Sequence, residues 1–263
     1  MEESYFSNLT TKTIGRKVLC HKKVTSTNDL AWLEVARNAE EGTVILADEQ
    51  FKGRGRFGRE WFSPARKGVW LSVVLFPSRF PEETFLLMSI GALAVADLLK
   101  SRFNIAAYIR WPNDVIINNK KIAGIIVESK YINKIPNATV MGIGLNIDIA
   151  EPEMPPELKD ITTSLNKETN KTSDSKIEAI AADLICHLDK WYQKTSEQEL
   201  KSIRDAWRGF SCVLDKMVEV KIKDKLLEGR IVDLDPLKGF ALSGKDGNIN
   251  WWRGETVEML RLI

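Results

Sequence analysis

Gly53-Arg54-Gly55-Arg56-Phe57-Gly58, followed by Arg59-Glu60-Trp61-Phe62-Ser63-Pro64, is the stretch that decides between two architectures. Its first six letters match GxGxxG, the turn that opens a helix beneath a dinucleotide in a doubly wound parallel sheet. That use needs a helix at the third glycine, so that its first N–H groups face a pyrophosphate. Here an aromatic pair, a serine and a proline follow, and no helical run opens. The stretch reads as a loop between strands, and the domain around it as α/β (α+β): a mixed sheet flanked by helices.

The flanks agree with that reading. Thr43 to Ala47 and Val69 to Phe76 are short β-branched apolar runs on either side of the polar segment Asp48 to Lys67. Upstream, Thr25-Ser26-Thr27-Asn28-Asp29 is dense in N-cap residues and precedes Leu30, Ala31, Trp32, Leu33, Val35 and Ala36, which predicts a capped helix. Downstream, Pro81-Glu82-Glu83 opens a segment to about Arg102 with Phe85, Leu86, Leu93, Ala96 and Leu99 near helical spacing. Strand-like runs at Ala107 to Trp111, Val115 to Asn118, Ile122 to Glu128 and Thr139 to Ile147 are separated by Pro-Asn-Asp and Asn-Asn turns. An amphipathic stripe from Ile177 to Trp191 predicts a further helix, and Ser196 with Glu199 a capping box for another carrying Leu200, Ile203 and Trp207. From Met217 the texture changes to short alternating segments with Asp235-Pro236 and Asp246-Gly247 turns. The expected division is residues 1–212 for the larger domain and 213–263 for a small β-barrel.

Composition narrows the function. With 38 basic and 36 acidic side chains among 263 residues the formal charge is +2, too little for general nucleic-acid binding. The first 25 residues hold one apolar cluster, Ile14 to Cys20, too short for a helical DNA-binding domain. Cys20, Cys186 and Cys212 are widely spaced and odd in number, which excludes a disulfide framework and a CxxC metal or redox motif. No signal peptide or membrane span is legible, and a cytoplasmic protein is expected.

Two constellations carry chemistry. Lys52, Arg54, Arg56 and Arg59 place four cations within eight residues, between glycines that let backbone approach a ligand closely. Such a loop can close over a polyanion; a solvated basic loop is the plain alternative, and Phe57, Trp61 and Phe62 weigh against it because three rings must pack on something. The second is Arg110-Trp111-Pro112-Asn113-Asp114, running into Lys120-Lys121-Ile122-Ala123-Gly124. Pro112 cannot sit inside a central strand, so Asn113 and Asp114 are expected at a bend. By itself an ordinary β-turn explains this.

Taken in order, the motifs become specific. Ser26-Thr27-Asn28, then Gln50 ahead of Gly53 to Trp61, then Trp111-Pro112-Asn113-Asp114 with Lys121 to Glu128, then Gly142-Ile143-Gly144-Leu145-Asn146, and finally Thr163-Ser164-Leu165, resemble the biotin protein ligases in sequence order. The resemblance runs from about Ile14 to the end and is to the monofunctional type without an N-terminal DNA-binding domain. It implies an SH3-like C-terminal barrel and a ligase that adenylates biotin with ATP and Mg²⁺, holds biotinyl-5′-AMP, and biotinylates one lysine of a biotin carboxyl carrier domain. It implies no DNA or membrane partner and leaves a homodimer open.

By resemblance, Ser26, Thr27, Asn28 and Gln50 line the ureido end of biotin. Gly53, Arg54, Gly55 and Arg56 belong to the loop that closes over biotin and adenylate, with Arg54 and Arg56 in the chemistry. Arg59, Trp61 and Asn146 lie on the nucleotide side, Asn146 near phosphate and Mg²⁺. Lys121 is a further binding cation, and Gly124, Gly142 and Gly144 give clearance beside the sheet. No dedicated protein metal site is expected. One departure stands out: the family usually has lysine before Trp-Pro-Asn-Asp, at the carboxylate and α-phosphate, where this chain has Arg110. A guanidinium keeps the charge but changes geometry and hydration, and a structural ion pair is its other reading. His21 and His187 lack ligand partners at metal spacing, and Ser63 and Ser72 lack a nucleophile elbow. Trp251 and Trp252 read either as barrel packing or as a contact to ATP or the carrier. A lipoate-type acyl ligase and a non-catalytic biotin-binding regulator are the competing readings.

Overall fold

The computed structural model describes residues 1–77, 83–132, 135–169, 176–195, 199–223, 225–253 and 256–263. Its larger sheet has seven strands: β1 (Val18–Val24), β2 (Val44–Gln50), β3 (Gly68–Leu75), β4 (Tyr108–Arg110), β5 (Asp114–Ile117), β6 (Lys120–Ile132) and β7 (Ile135–Asn146). Their spatial order is β1-β2-β3-β7-β6-β5-β4. β1 and β2 are parallel and every other pairing is antiparallel, so the sheet is mixed.

β3 is buried at all eight positions because helices cover both faces, which is why it reads as a continuous apolar run instead of an alternation. On one face lies α1 (Thr27–Ala36), whose Ala31 packs on Ile45, Val74 and Val140. On the other lie α2 (Glu83–Phe103), α4 (Ile177–Tyr192) and α5 (Leu200–Phe210), with the short α3 (Leu165–Thr169) near the end of β7. α4 turns Ile180, Ala181, Leu184, Ile185 and Leu188 inward, the stripe expected from its spacing. α5 forms as expected, with Glu199 at its N-cap; Ser196 of the expected capping box lies outside the described residues.

The apolar cluster Ile14 to Cys20 divides in two. Ile14 is buried in the core, while Val18 to Cys20 open β1, whose later residues His21-Lys22-Lys23 hide the strand because it is an edge exposed to water. Pro112 sits as expected in the bend between β4 and β5, at the opposite edge of the sheet.

A second sheet is wholly antiparallel: β8 (Met217–Ile222), β9 (Lys225–Asp235), β10 (Gly239–Ser243), β11 (Ile249–Trp252) and β12 (Met259–Leu262), ordered β11-β10-β9-β8-β12. It is fastened to α5 by Arg204 to Asp235 at 2.7 Å and by Arg208 to Asp233, and to the rest of the larger domain by rings. Phe240 packs edge-on against Trp111 with centroids 4.8 Å apart, and Phe85 sits 5.4 Å from Trp111 and 6.2 Å from Trp207. Trp111 directly precedes the Pro-Asn-Asp bend, so the second sheet buttresses that bend. Among the described residues no helix is long and apolar enough to cross a membrane.

Candidate active site

Two adjoining cavities open above the middle of the larger sheet. The narrower, about 40 Å³, is lined by Ser26, Thr27, Asn28, Gln50, Arg54, Gly124, Gly142 and Gly144 among others. The wider, about 600 Å³, takes Arg59, Arg110, Asp114 and Asn146 into its walls. Gly55, Arg56, Trp61, Asn113 and Lys121 border both. Every candidate residue from the sequence therefore reaches one cavity or the other except Gly53. A Cβ at Gly53 would fall 2.3 Å from the Trp61 carbonyl oxygen, so this glycine allows the loop to cross itself.

The narrow cleft begins at the N-terminus of α1. Ser26 is its N-cap, in extended conformation, and its hydroxyl oxygen accepts from the Asn28 N–H at 3.2 Å. Gln50, the last residue of β2, is tied to that cap: its Oε1 accepts from Thr27 N–H at 2.8 Å and Thr27 Oγ1 at 3.0 Å. Its Nε2 donates to Ser63 Oγ at 2.8 Å, and Ser63 donates on to the Trp61 carbonyl at 3.0 Å. From beneath, Ser72 of β3 places its hydroxyl 2.7 Å from Thr27 Oγ1 and 2.6 Å from the Asn28 side-chain amide. The result is a neutral wall of hydroxyl and amide groups, able to donate and accept at once.

Trp61 separates the two cavities. Its indole lies flat on the register pair Gly124 and Gly144 of β6 and β7. A Cβ at Gly144 would fall 2.2 Å from the indole Nε1, and one at Gly124 2.8 Å from Cζ3, so only glycines admit the ring. Lys121 lies against it on the Gly124 side, with Nζ 5.0 Å from the ring centroid.

Lys121 and Arg110 share one carboxylate. Asp114 receives Lys121 Nζ at 2.5 Å and Arg110 Nη2 at 3.1 Å, so an excess of one positive charge faces the cavity from this trio. Arg110 thus makes the structural ion pair anticipated as its alternative while still lining the wider cavity. Cys212 lies close by, but burial pushes its thiol up despite the opposing Arg110 charge, and it offers no thiolate nucleophile.

The loop is more ordered than its glycines suggest. Antiparallel bridges join Gln50 to Ser63 and Arg54 to Glu60, and Phe57 and Gly58 adopt left-handed conformations at its tip. Its cations are not all poised for a ligand. Arg54 contacts Asp29 at 3.0 Å and Glu128 at 3.2 Å, while Arg56 reaches Asn113 Oδ1 and the Val257 carbonyl, each at 3.4 Å.

Two wall segments escaped sequence reasoning. Ile149, Met154, Leu158, Ile161 and Thr162 supply an apolar wall to the wider cavity, and Val257 to Leu260 of the second sheet supply its rim. The first was read only as a proline-marked loop, because its apolar residues are too sparse for any period. The second carried no local signal: Trp251 and Trp252 drew attention, yet neither lines this cavity.

Residues 20–146, which include every candidate from Ser26 to Asn146, match the Biotin/lipoate A/B protein ligase family. The chain is 31% identical over 230 residues to the biotin–[acetyl-CoA-carboxylase] ligase of Paracoccus denitrificans, covering 84% of this chain and 92% of that one. The chain belongs to the biotin protein ligase family. The bifunctional ligase/repressor BirA of Bacillus subtilis is 30% identical over 239 residues, 91% of this chain and 73% of its own. Among solved structures, a biotin protein ligase from Aquifex aeolicus in complex with biotin and ATP superimposes with a TM-score of 0.80 at 27% identity. That match covers 94% of this chain and all of the other, so the ligase fold here includes the second sheet.

Proposed function

We propose that this protein is an ATP-dependent biotin–carboxyl carrier protein ligase. It joins the biotin carboxylate to the α-phosphate of ATP, releases pyrophosphate, and passes the biotinyl group from biotinyl-5′-AMP to one lysine of a biotin carboxyl carrier domain. The observation that carries this reading is the border shared by the two cavities. A cleft with one neutral wall of hydroxyl and amide groups, suited to a ureido ring, opens past Lys121 and Trp61 into a wider apolar space with Arg59 and Arg110 on its walls.

Ser26, Thr27, Asn28 and Gln50 bind the ring, and the glycine-floored slot beside Trp61 takes the apolar chain. The carboxylate then lies at Lys121, whose ammonium stabilises negative charge as the carboxylate oxygen attacks the α-phosphorus and the bond to pyrophosphate breaks. Arg56 and Arg110 add positive potential, Arg110 from the nucleotide side only. Trp61 and the apolar wall hold the base. In the second half-reaction the carrier's lysine amine attacks the acyl carbon and AMP leaves.

Among the described residues no three His, Cys, Asp or Glu side chains gather into a metal cage. The donor set suits Mg²⁺ that arrives with the triphosphate, with Asn146 offering an amide oxygen, since its Nδ2 is committed to the Thr163 carbonyl at 3.0 Å. Mg²⁺ would neutralise phosphate charge there. We place the domain division at 212/213, between the end of α5 and the start of β8.

The test is intact-mass measurement of a carrier domain incubated with the protein, biotin, ATP and Mg²⁺. A gain of one biotinyl group that requires ATP is expected, with no lipoyl gain when lipoate replaces biotin. No gain with several carrier domains and folded protein removes the reading.

A further inference from the structure

Ser72 was set aside as a nucleophile, yet it is fully buried behind the narrow cleft and touches two of the residues that line it, Thr27 and Asn28. Gln50 Oε1 must be the oxygen of its amide, because it accepts the Thr27 backbone N–H at 2.8 Å while Nε2 donates to Ser63. Three further short contacts follow in series: Gln50 Oε1 to Thr27 Oγ1 at 3.0 Å, Thr27 Oγ1 to Ser72 Oγ at 2.7 Å, and Ser72 Oγ to the Asn28 amide at 2.6 Å. Only two hydroxyl protons are available for three contacts.

With Oδ1 of Asn28 against Ser72, as the rotamer stands, one contact has no proton and becomes a lone-pair repulsion. Nδ2 is then also buried without a partner among the described residues. Turning the amide plane by half a rotation cures the first fault. Asn28 Nδ2 donates to Ser72, Ser72 to Thr27, and Thr27 to Gln50. The amide's orientation is decided by this network, as for any amide whose O and N are otherwise alike in shape. The atom left buried and unpartnered is then an oxygen, which accepts only.

We propose that Ser72 is a positioning residue that, through the proton order Asn28 to Ser72 to Thr27 to Gln50, holds the Asn28 amide oxygen toward the cleft, so that the cleft selects ligands presenting a ring N–H. This rests on the ligase reading for the ligand's identity: biotin's cyclic urea carries N–H groups and a dithiolane carries none. An acceptor left unpaired discriminates strongly, because a ligand without the matching donor leaves it desolvated.

Ser72→Ala removes the acceptor that holds the amide. The expected result is a rise of about tenfold in KM for biotin, with kcat for adenylation and KM for ATP within about twofold of wild type. The preference for biotin over biotin N-methylated on its ureido nitrogens should shrink by a similar factor; being a ratio, it is insensitive to the fraction folded. Asn28→Asp should weaken biotin more than Ser72→Ala does, because a carboxylate cannot donate to Ser72. A tolerated Asn28→Asp, or an unchanged preference in Ser72→Ala, overturns the proposal.

A ligand-free measurement separates this from the ligase reading. Side-chain amide protons of Asn28 should exchange slowly by NMR in wild type and faster in Ser72→Ala. Equal exchange overturns the proton order whether or not biotin is adenylated. Slow exchange in a protein that adenylates nothing overturns the ligase reading and leaves the proton order standing.

Discussion

Two irregular segments of this chain meet the same electrostatic problem differently. At residues 12–14 three successive backbone N–H groups point at one place, and Asp189 of α4 fills it: its carboxylate accepts from Lys12, Thr13 and Ile14, each at 2.8 Å. In the loop from Gly53 to Trp61 the positive groups are arginines: Arg54 is held by Asp29 and Glu128, while Arg59 lines the wider cavity. The first segment carries its own anion, buried to within 5% of full coverage, and is structural. In the second, Arg59 has no carboxylate partner among the described residues and leaves room for an anion from outside. A cluster of donors therefore signals binding only when the protein has not already supplied the counter-charge.

Removing the internal anion should have the largest effect. Asp189→Ala orphans three N–H groups beside the core and is expected to cost about 3–5 kcal/mol of stability. A calorimetric Tm lowered by roughly 10 °C, with biotin affinity of the folded fraction little changed, would hold the contrast. An unaltered Tm with weakened biotin binding would dissolve it.

Next comes the cation at the shared border. Lys121→Ala should slow single-turnover formation of biotinyl-AMP by about thirty- to a thousandfold, equivalent to about 2–4 kcal/mol, with little change in Tm. Arg110→Ala should slow it less, by about tenfold or under, because Arg110 reaches only the wider cavity and is held by Asp114. Arg110→Lys, which restores the usual family residue, should retain activity. Equal losses in the two alanine variants would return Arg110 to the centre of the chemistry.

Loop mobility offers a finer probe. Hydrogen exchange across residues 53–60 should slow when biotinyl-AMP binds, while residues 12–14 stay slow throughout. Identical exchange of the loop with and without ligand would make it as structural as the N-terminal segment.

The smallest effect belongs to the clamp on Arg54. Glu128 accepts from both Arg54, at 3.2 Å, and the Trp32 indole, at 2.8 Å. Glu128→Gln should weaken the loop's anchorage by less than about 1 kcal/mol, since the pair is partly exposed and screened by salt. Loop exchange should quicken slightly in low salt and match wild type in high salt.

Much of this molecule was legible in its residues. The N-cap cluster at Ser26, the apolar stripe of α4, the absence of a helix after Gly58 and the order of the ligase motifs follow from interactions within a few residues, where spacing and side-chain type settle the outcome. The same residues named most of the polar groups that line the two cavities. What they could not express is which groups share a wall. Lys121 and Arg110 are both basic and stand near one bend, but it is the pairing of β4 with β5 that sets Arg110 opposite Asp114 and that of β5 with β6 that brings Lys121 to the same carboxylate, and of the two only Lys121 borders both cavities. Val257 to Leu260 join the site from more than a hundred residues away, because the Phe240 ring and two arginine–aspartate pairs seat the second sheet beside Trp111. The role of Ser72 is of the same kind. A buried serine in an apolar strand has no sequence signature, and its meaning arises only when register and the α1 cap place two hydroxyls and two amides within hydrogen-bonding distance of one another.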